Sequence, residues 1–220
     1  MLECVLFDLD DTLYPEADFF RSGMDAVSVE VERRFGIKAS QARVILTRQG
    51  RDRTIDRALS ELGIAAEGLV PELVQVYRTH PPKITLFPDA RDALQRLASR
   101  GLRLGLVTDG EPQTQRSKAR ALELDRWMGA QVFTWDDGPQ LQKPHPQGYE
   151  RALRALAVEA HCAAYVGDNP AKDFAGARAL GLRTVRIRRG PHAPAIAEPG
   201  FGADAQIDDF DMLEQALGLL

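Results

Sequence analysis

The sequence predicts an α/β protein: a doubly wound parallel sheet with an all-helical segment inserted after its first strand. Three observations carry this. Five short apolar runs have strand length, and most are near-continuously apolar, as strands buried on both faces require. Amphipathic helical stretches lie between successive runs of the second half, the alternation of a doubly wound sheet. The stretch from about Tyr14 to Ile84 breaks this rhythm and holds no good strand.

The runs are Cys4 to Leu9, Leu102 to Val107, Val132 to Trp135, Ala163 to Val166 and Leu182 to Ile187. Between them, Pro88 to Arg100 sets Ala90, Ala93, Leu94 and Leu97 on one helical face, and Gly101 supplies a stop. Pro146 to Ala157 does the same with Tyr149, Ala152, Leu153 and Leu156. A helix over Ala171 to Leu180 is predicted to end at Gly181. Asp211 and Glu214 form a capping-box analogue that opens a last helix, with Leu213, Leu217 and Leu220 inward. In the inserted segment, Phe20, Met24, Val27, Val31 and Phe35 keep one long face, ended by Gly36. Shorter helices follow around Ser40–Gln49, Thr54–Leu62 and Gly68–Thr79, and His80-Pro81-Pro82 closes the block. The predicted domains are therefore a discontinuous core, 1–14 and 85–220, and an insert, 15–84.

The 220 residues carry 28 bases against 32 acids, a net charge of −4, so duplex phosphate is not an expected partner. No apolar run approaches the ~20 residues that span a bilayer. The acidic start, Met-Leu-Glu-Cys, is no signal-peptide n-region. Cys4 and Cys162 make neither a disulfide framework nor a zinc spacing; at the openings of two strands both thiols are expected to be buried, free and unreactive. A cytoplasmic protein is the expectation. Oligomeric state is not legible.

Open sheets of this class bind ligands at the carboxyl ends of their strands. The first run ends in Asp8-Leu9-Asp10-Asp11-Thr12, crowding carboxylates that repel unless a cation is present. A hard divalent ion removes that cost, and Mg²⁺ suits it; the alternative is a solvated acidic turn. The fourth run ends in Gly167-Asp168-Asn169, and Asp173 falls in the first turn of the next predicted helix. Thr108-Asp109-Gly110 after the second run offers a hydroxyl and backbone N–H groups to a phosphate. Lys143 stands in the stiff loop Lys143-Pro144-His145-Pro146.

D-x-D-x-T, a strand-end Thr, a loop Lys before Pro and G-D-x-x-x-x-D, in that order, resemble the haloacid dehalogenase (HAD) superfamily of phosphohydrolases. The resemblance covers the whole chain. It implies a Rossmann-like core of the HAD type, with the helical insert in the place of that family's type 1 cap. It further implies that Asp8 is the nucleophile that becomes an aspartyl-phosphate. Asp10 is the implied general acid, then base. Thr108, Asp109, Gly110 and Lys143 would hold the phosphate, with Lys143 also holding Asp8. Asp8, Asp168 and the backbone carbonyl of Asp10 would ligate Mg²⁺, supported by Asp173. Dehalogenases of the superfamily lack an acid at the position of Asp10, so phosphoryl chemistry on a small phosphomonoester is implied. Phosphate monoesters are among the slowest substrates to hydrolyse unaided, and a covalent route divides the step.

A phosphomutase on the same scaffold is the enzymatic alternative. A phospho-accepting receiver module is the alternative from another class, but its acceptor lies on the third strand. Arg48, Arg51 and Arg53 in the insert are candidate contacts to the leaving group; a solvated face is the competing reading. The helical insert is expected to act as a mobile lid with hinges near Tyr14–Asp18 and Pro81–Pro88. Arg183, Arg186, Arg188 and Arg189 read as rim charges, and Trp127 and Trp135 as core or core edge. His80, His145, His161 and His192 share no ligand spacing.

Overall fold

Six parallel strands form one sheet in the order β3-β2-β1-β4-β5-β6. They are β1 (Cys4–Phe7), β2 (Arg103–Thr108), β3 (Met128–Phe133), β4 (Ala163–Gly167), β5 (Arg183–Ile187) and β6 (Ala205–Ile207). The computed structural model describes residues 1–48 and 53–219. It divides into two units, Met1–Glu16 with Thr85–Leu220, and Ala17–Ile84.

The sheet belongs to the first unit. β1 and β4 are buried along their whole lengths, which explains their unbroken apolar sequences. Register brings three strand ends level: Phe7 pairs with both Leu106 and Val166. Asp8, Val107-Thr108 and Gly167-Asp168 therefore leave the sheet together, beside the point where strand order reverses. The helices of this unit are α5 (Pro88–Ser99), α6 (Pro112–Ala121), α7 (Gln147–Leu156), α8 (Ala175–Ala179) and α9 (Leu213–Ala216). Tyr149, Ala152, Leu153 and Leu156 of α7 lie in the same cluster as Leu6, Val107 and Tyr165 of the strands.

The second unit holds α1 from Ala17 onward (the helix spans Glu16–Phe35), α2 (Ala39–Arg48), α3 (Thr54–Glu61) and α4 (Leu69–Thr79). Its core gathers Met24, Val27 and Val31 of α1 with Ala42, Leu46, Ile55, Leu59 and Leu73. Gly23 lets Tyr77 lie against α1, since a Cβ there would meet the Tyr77 ring at 2.3 Å. Phe35, expected on the buried face, is exposed at the last turn of α1, where Gly36 already turns the chain with a positive φ. Among the described residues no helix is long and apolar enough to cross a membrane.

Several local expectations need correction. β6 is a strand of three residues, too short to show a period. Trp135 lies beyond β3, in a 3₁₀ turn. The helix predicted from Ala171 begins only at Ala175, because side chains compete for its first turn. Asn169 Oδ1 accepts from the Ala171 N–H at 3.0 Å, and Asp173 Oδ2 from the Asn169 N–H at 2.8 Å. Asp173 thus precedes α8. Asp209 opens the 3₁₀ turn Phe210–Met212 that leads into the final helix, its carboxylate accepting from the Asp211 N–H, while Glu214 pairs with Arg96 at 2.6 Å.

Cys4 is buried in β1, and burial pushes its thiol up to about 12. Cys162 lies in the turn before β4 and is only half-buried, so the expectation of two buried thiols holds for Cys4 alone. Of the four arginines read as rim charges, Arg186 is buried and Arg189 is half-buried. Arg186 is 4% exposed and donates to the His192 carbonyl at 2.7 Å. Arg189 lies over the rings of Phe87 and Phe210, 4.4 and 4.8 Å from their centroids, and pairs with Asp89. The ring and carboxylate partners of Arg189 are distant in sequence, which is why local composition suggested a solvated strand edge there.

Candidate active site

Asp8 follows β1 directly, and its N–H still donates to the Val166 carbonyl at 2.9 Å. The chain then turns tightly: Leu13 N–H donates to the Leu9 carbonyl at 3.0 Å, with Asp11 at a positive φ of 54°. This turn returns Tyr14 to Asp10, so that the Tyr14 hydroxyl donates to Asp10 Oδ1.

Lys143 enters from the loop before α7. Asp109 builds that loop: its Oδ1 accepts from the Lys143 N–H at 3.0 Å and from the Thr134 hydroxyl at 2.8 Å. The Lys143 ammonium is buried and donates to Asp8 Oδ1 at 2.5 Å, Asp173 Oδ1 at 2.7 Å and the Tyr165 hydroxyl at 2.9 Å. Burial opposes its charge, but Asp173 and Asp8 outweigh that and hold it protonated well above the ordinary lysine range. The close approach depends on Gly176, where a Cβ would stand 1.9 Å from the Pro144 carbonyl oxygen. Gly176→Ala is expected to displace the lysine loop, lower stability by about 1–3 kcal/mol and cost activity with it. Denaturant titration beside turnover checks this; unchanged stability and turnover would contradict the packing argument.

Asp8, Asp168 and Asp173 are all buried, and one carboxylate oxygen from each lies within 4.8 Å of the others. Three carboxylates face the Lys143 ammonium, with Lys172 acting on them from farther off. Asp168 Oδ2 is buried with no partner among the described residues. Burial first, then Asp8 and Asp173, push the Asp168 carboxyl up to about 9. Asp8 is likewise raised, by burial, with Lys143 pulling it down. An orphaned oxygen-donor atom amid excess negative charge suits a hard divalent cation.

Asp10 has a different environment. Gln115 donates to its Oδ2 at 2.9 Å and Lys118 to its Oδ1 at 2.8 Å, beside the Tyr14 contact. Burial raises its pKa, but Lys118, then Tyr14 and Gln115, outweigh that and hold the carboxyl below its usual range. Two neighbouring carboxylates, Asp8 and Asp10, are thus pushed in opposite directions by their surroundings.

Thr108 is buried at the end of β2, and its hydroxyl accepts from Gln115 at 2.7 Å. Gly110 follows with a φ of 117°, and Glu111 caps α6 by accepting from the N–H groups of Gln113 and Thr114. The core residues singled out from sequence thus gather at the carboxyl ends of the central strands, although the Asp109 side chain faces the lysine loop and Lys172, 3.3 Å away. Sequence reasoning missed Gln115, Lys118, Tyr14, Tyr165 and Lys172. Each is an ordinary residue type within an ordinary helix, strand or turn; Tyr14 lay beside a quoted motif, and Lys172 lay at an unspecified position within one. In the second unit, Arg48 pairs with Glu61 and Arg53 with Asp56, both exposed. Arg51 lies outside the described residues.

Residues 2–181 match the haloacid dehalogenase-like hydrolases. The chain belongs to that family. This hydrolase is 32% identical over 208 residues to the glyceraldehyde 3-phosphate phosphatase of Methanopyrus kandleri, covering 87% of this chain and 86% of that protein. Among solved structures, a HAD phosphatase from Thermococcus onnurineus superposes with a TM-score of 0.64 at 27% identity, covering 99% and 98% of the two chains. A 2-haloacid dehalogenase from Pseudomonas syringae superposes with 0.66 at 25% identity and 99% of each chain. The fold is therefore common to phosphatases and dehalogenases, and the site must separate them.

Proposed function

We propose that this hydrolase is a Mg²⁺-dependent phosphatase of a small phosphomonoester, acting through an aspartyl-phosphate on Asp8. The observation that carries the reading is Asp10, an acid two residues from the nucleophile and held as a carboxylate by three donors. Halide needs no proton on leaving; an alkoxide does. The shared fold with a dehalogenase does not weigh against this, because that reaction gives such an acid nothing to do.

In the first half-reaction an Asp8 oxygen bonds to phosphorus as the bond to the leaving oxygen breaks, and Asp10 protonates that oxygen. The substrate's own negative charge, arriving beside Asp10, favours the protonated form this step needs. In the second half, Asp10 takes a proton from water as the water oxygen bonds to phosphorus and the bond to Asp8 breaks. Thr108 and the backbone of Asp109 and Gly110 hold phosphate oxygens, and Lys143 orients Asp8 and offsets charge on the transferring group. Asp8, Asp168 and the Asp10 carbonyl would hold Mg²⁺, with Asp173 in support. When bound, the cation neutralises charge on the phosphoryl oxygens. Glyceraldehyde 3-phosphate, the substrate in the relative's name, is the first compound to test.

The test is phosphate release from glyceraldehyde 3-phosphate, sugar phosphates, nucleoside monophosphates and p-nitrophenyl phosphate, beside halide release from 2-chloropropionate. Phosphate release that stops in EDTA is expected. Asp10→Asn should lose about 10²–10⁴-fold on alkyl phosphates and much less on p-nitrophenyl phosphate, whose leaving group needs little protonation. Halide release alone, or full phosphate release in EDTA, would overturn the reading.

A further inference from the structure

Two side chains of α6 take no bond-making or proton-transfer step in the chemistry above, yet both are buried against it. Gln115 is 2% exposed, and its amide nitrogen donates to Asp10 Oδ2 at 2.9 Å and to Thr108 Oγ1 at 2.7 Å. Lys118 is 4% exposed and donates to Asp10 Oδ1 at 2.8 Å. A spacing of three puts both on one face of the helix.

The chemistry of the donors fixes their sense. A carboxylate only accepts, so Gln115 must turn its NH₂, not its carbonyl, toward Asp10. The same nitrogen then has one hydrogen for each partner. A threonine hydroxyl that accepts from Gln115 keeps its own hydrogen for another acceptor. Its contact with the Asp109 carbonyl, at 3.5 Å, lies beyond normal hydrogen-bond length. That hydrogen is available to an arriving phosphate oxygen. Both oxygens of Asp10, meanwhile, are tied to the same helix, so the carboxylate cannot rotate without breaking a contact to α6. Burying an ammonium costs several kcal/mol unless it is paired, which is a high cost for a residue that only filled space.

We infer that Gln115 and Lys118 are positioning residues: together they lock the Asp10 carboxylate in one orientation, and Gln115 aims the Thr108 hydroxyl hydrogen at the substrate phosphate. This rests on the phosphatase reading, which turnover by the unaltered chain tests separately.

The experiment uses the full chain with Mg²⁺. Lys118→Met is expected to lower kcat on an alkyl phosphate at least tenfold with little change in KM, and Lys118→Arg to restore most of it. Gln115→Met should weaken inorganic phosphate binding by about tenfold in calorimetry, the loss of one oriented hydrogen bond. Double-mutant cycles separate positioning from folding. On p-nitrophenyl phosphate, Lys118→Met should add less than twofold in an Asp10→Asn background. Gln115→Met should leave phosphate affinity unchanged once Thr108 is Ala. If Lys118→Met does not fold, Lys118→Gln, which keeps a polar contact, takes its place with the same expected kcat loss. Equal losses in the single and double backgrounds would overturn the inference, as would a purely thermal destabilisation with kcat, KM and phosphate affinity intact. An unaltered chain that hydrolyses no phosphomonoester would overturn the phosphatase reading instead.

Discussion

Asp8→Asn is expected to lower turnover by at least ~10³-fold while leaving the fold in place. Loss of a covalent nucleophile can cost as much as ~10⁶-fold in other hydrolases. The amide matches the carboxylate in volume, and the Asp8 backbone N–H keeps its bond to the Val166 carbonyl. Lys143 keeps Asp173 and the Tyr165 hydroxyl, so its buried ammonium stays paired. The melting temperature should therefore move little. Rapid acid quenching with a radiolabelled phosphomonoester checks the same point directly: the parent chain should retain label and Asp8→Asn should not. Near-parental turnover in Asp8→Asn would remove the covalent route.

The parallel sheet was legible because burial on both faces forces continuous apolar runs, as in Cys4–Phe7 and Ala163–Gly167. Helices with a packed face were legible through their period, as in α5 and α7. What escaped was set by contacts rather than by period. The start of α8 yields to the Asn169 and Asp173 side chains. Arg189 is drawn inside by two rings and Asp89, all remote in sequence. β6 is a strand only because β5 offers it an edge.

The site divides the same way. Asp8, Thr108 and Asp168 sit where a strand meets a turn, a position that sequence marks by an abrupt change from apolar to polar, and Lys143 sits in a loop that its two prolines mark. Gln115 and Lys118 sit inside a helix with no large apolar residue, Pro-Gln-Thr-Gln-Arg-Ser-Lys-Ala-Arg-Ala, so no apolar face marks which of its polar side chains are buried. Their burial follows from the turn at Leu9–Tyr14, which brings Asp10 to α6 across more than a hundred residues of chain.

Asp168→Asn is expected to abolish most activity, on the order of 10²-fold or more, and yet to stabilise the metal-free chain at alkaline pH. The activity loss follows from removing an anionic oxygen from the proposed cation site. The stability gain follows from linkage. In the unfolded chain an aspartate titrates near ~3.9. In the folded chain burial, Asp8 and Asp173 hold Asp168 up at about 9. Folding then favours the protonated form, so this group's contribution is fully present below the unfolded value and is lost as pH rises toward the folded one. Between those limits the folded state binds the extra proton, and stability falls by up to ~1.4 kcal/mol for each pH unit. Asparagine does not titrate. The advantage of Asp168→Asn over the parent in EDTA should therefore grow between pH 5.5 and 8.5, by about 2–4 °C in Tm for each kcal/mol. Mg²⁺ should reverse the order, because binding to the folded parent stabilises it by mass action and the variant has lost an anionic oxygen ligand. Thermal melts of both chains at the two pH values, with and without Mg²⁺, read all of this at once. A pH-independent difference in EDTA would show that Asp168 is not the strained carboxylate. An equal Mg²⁺ response in both chains would place the cation elsewhere.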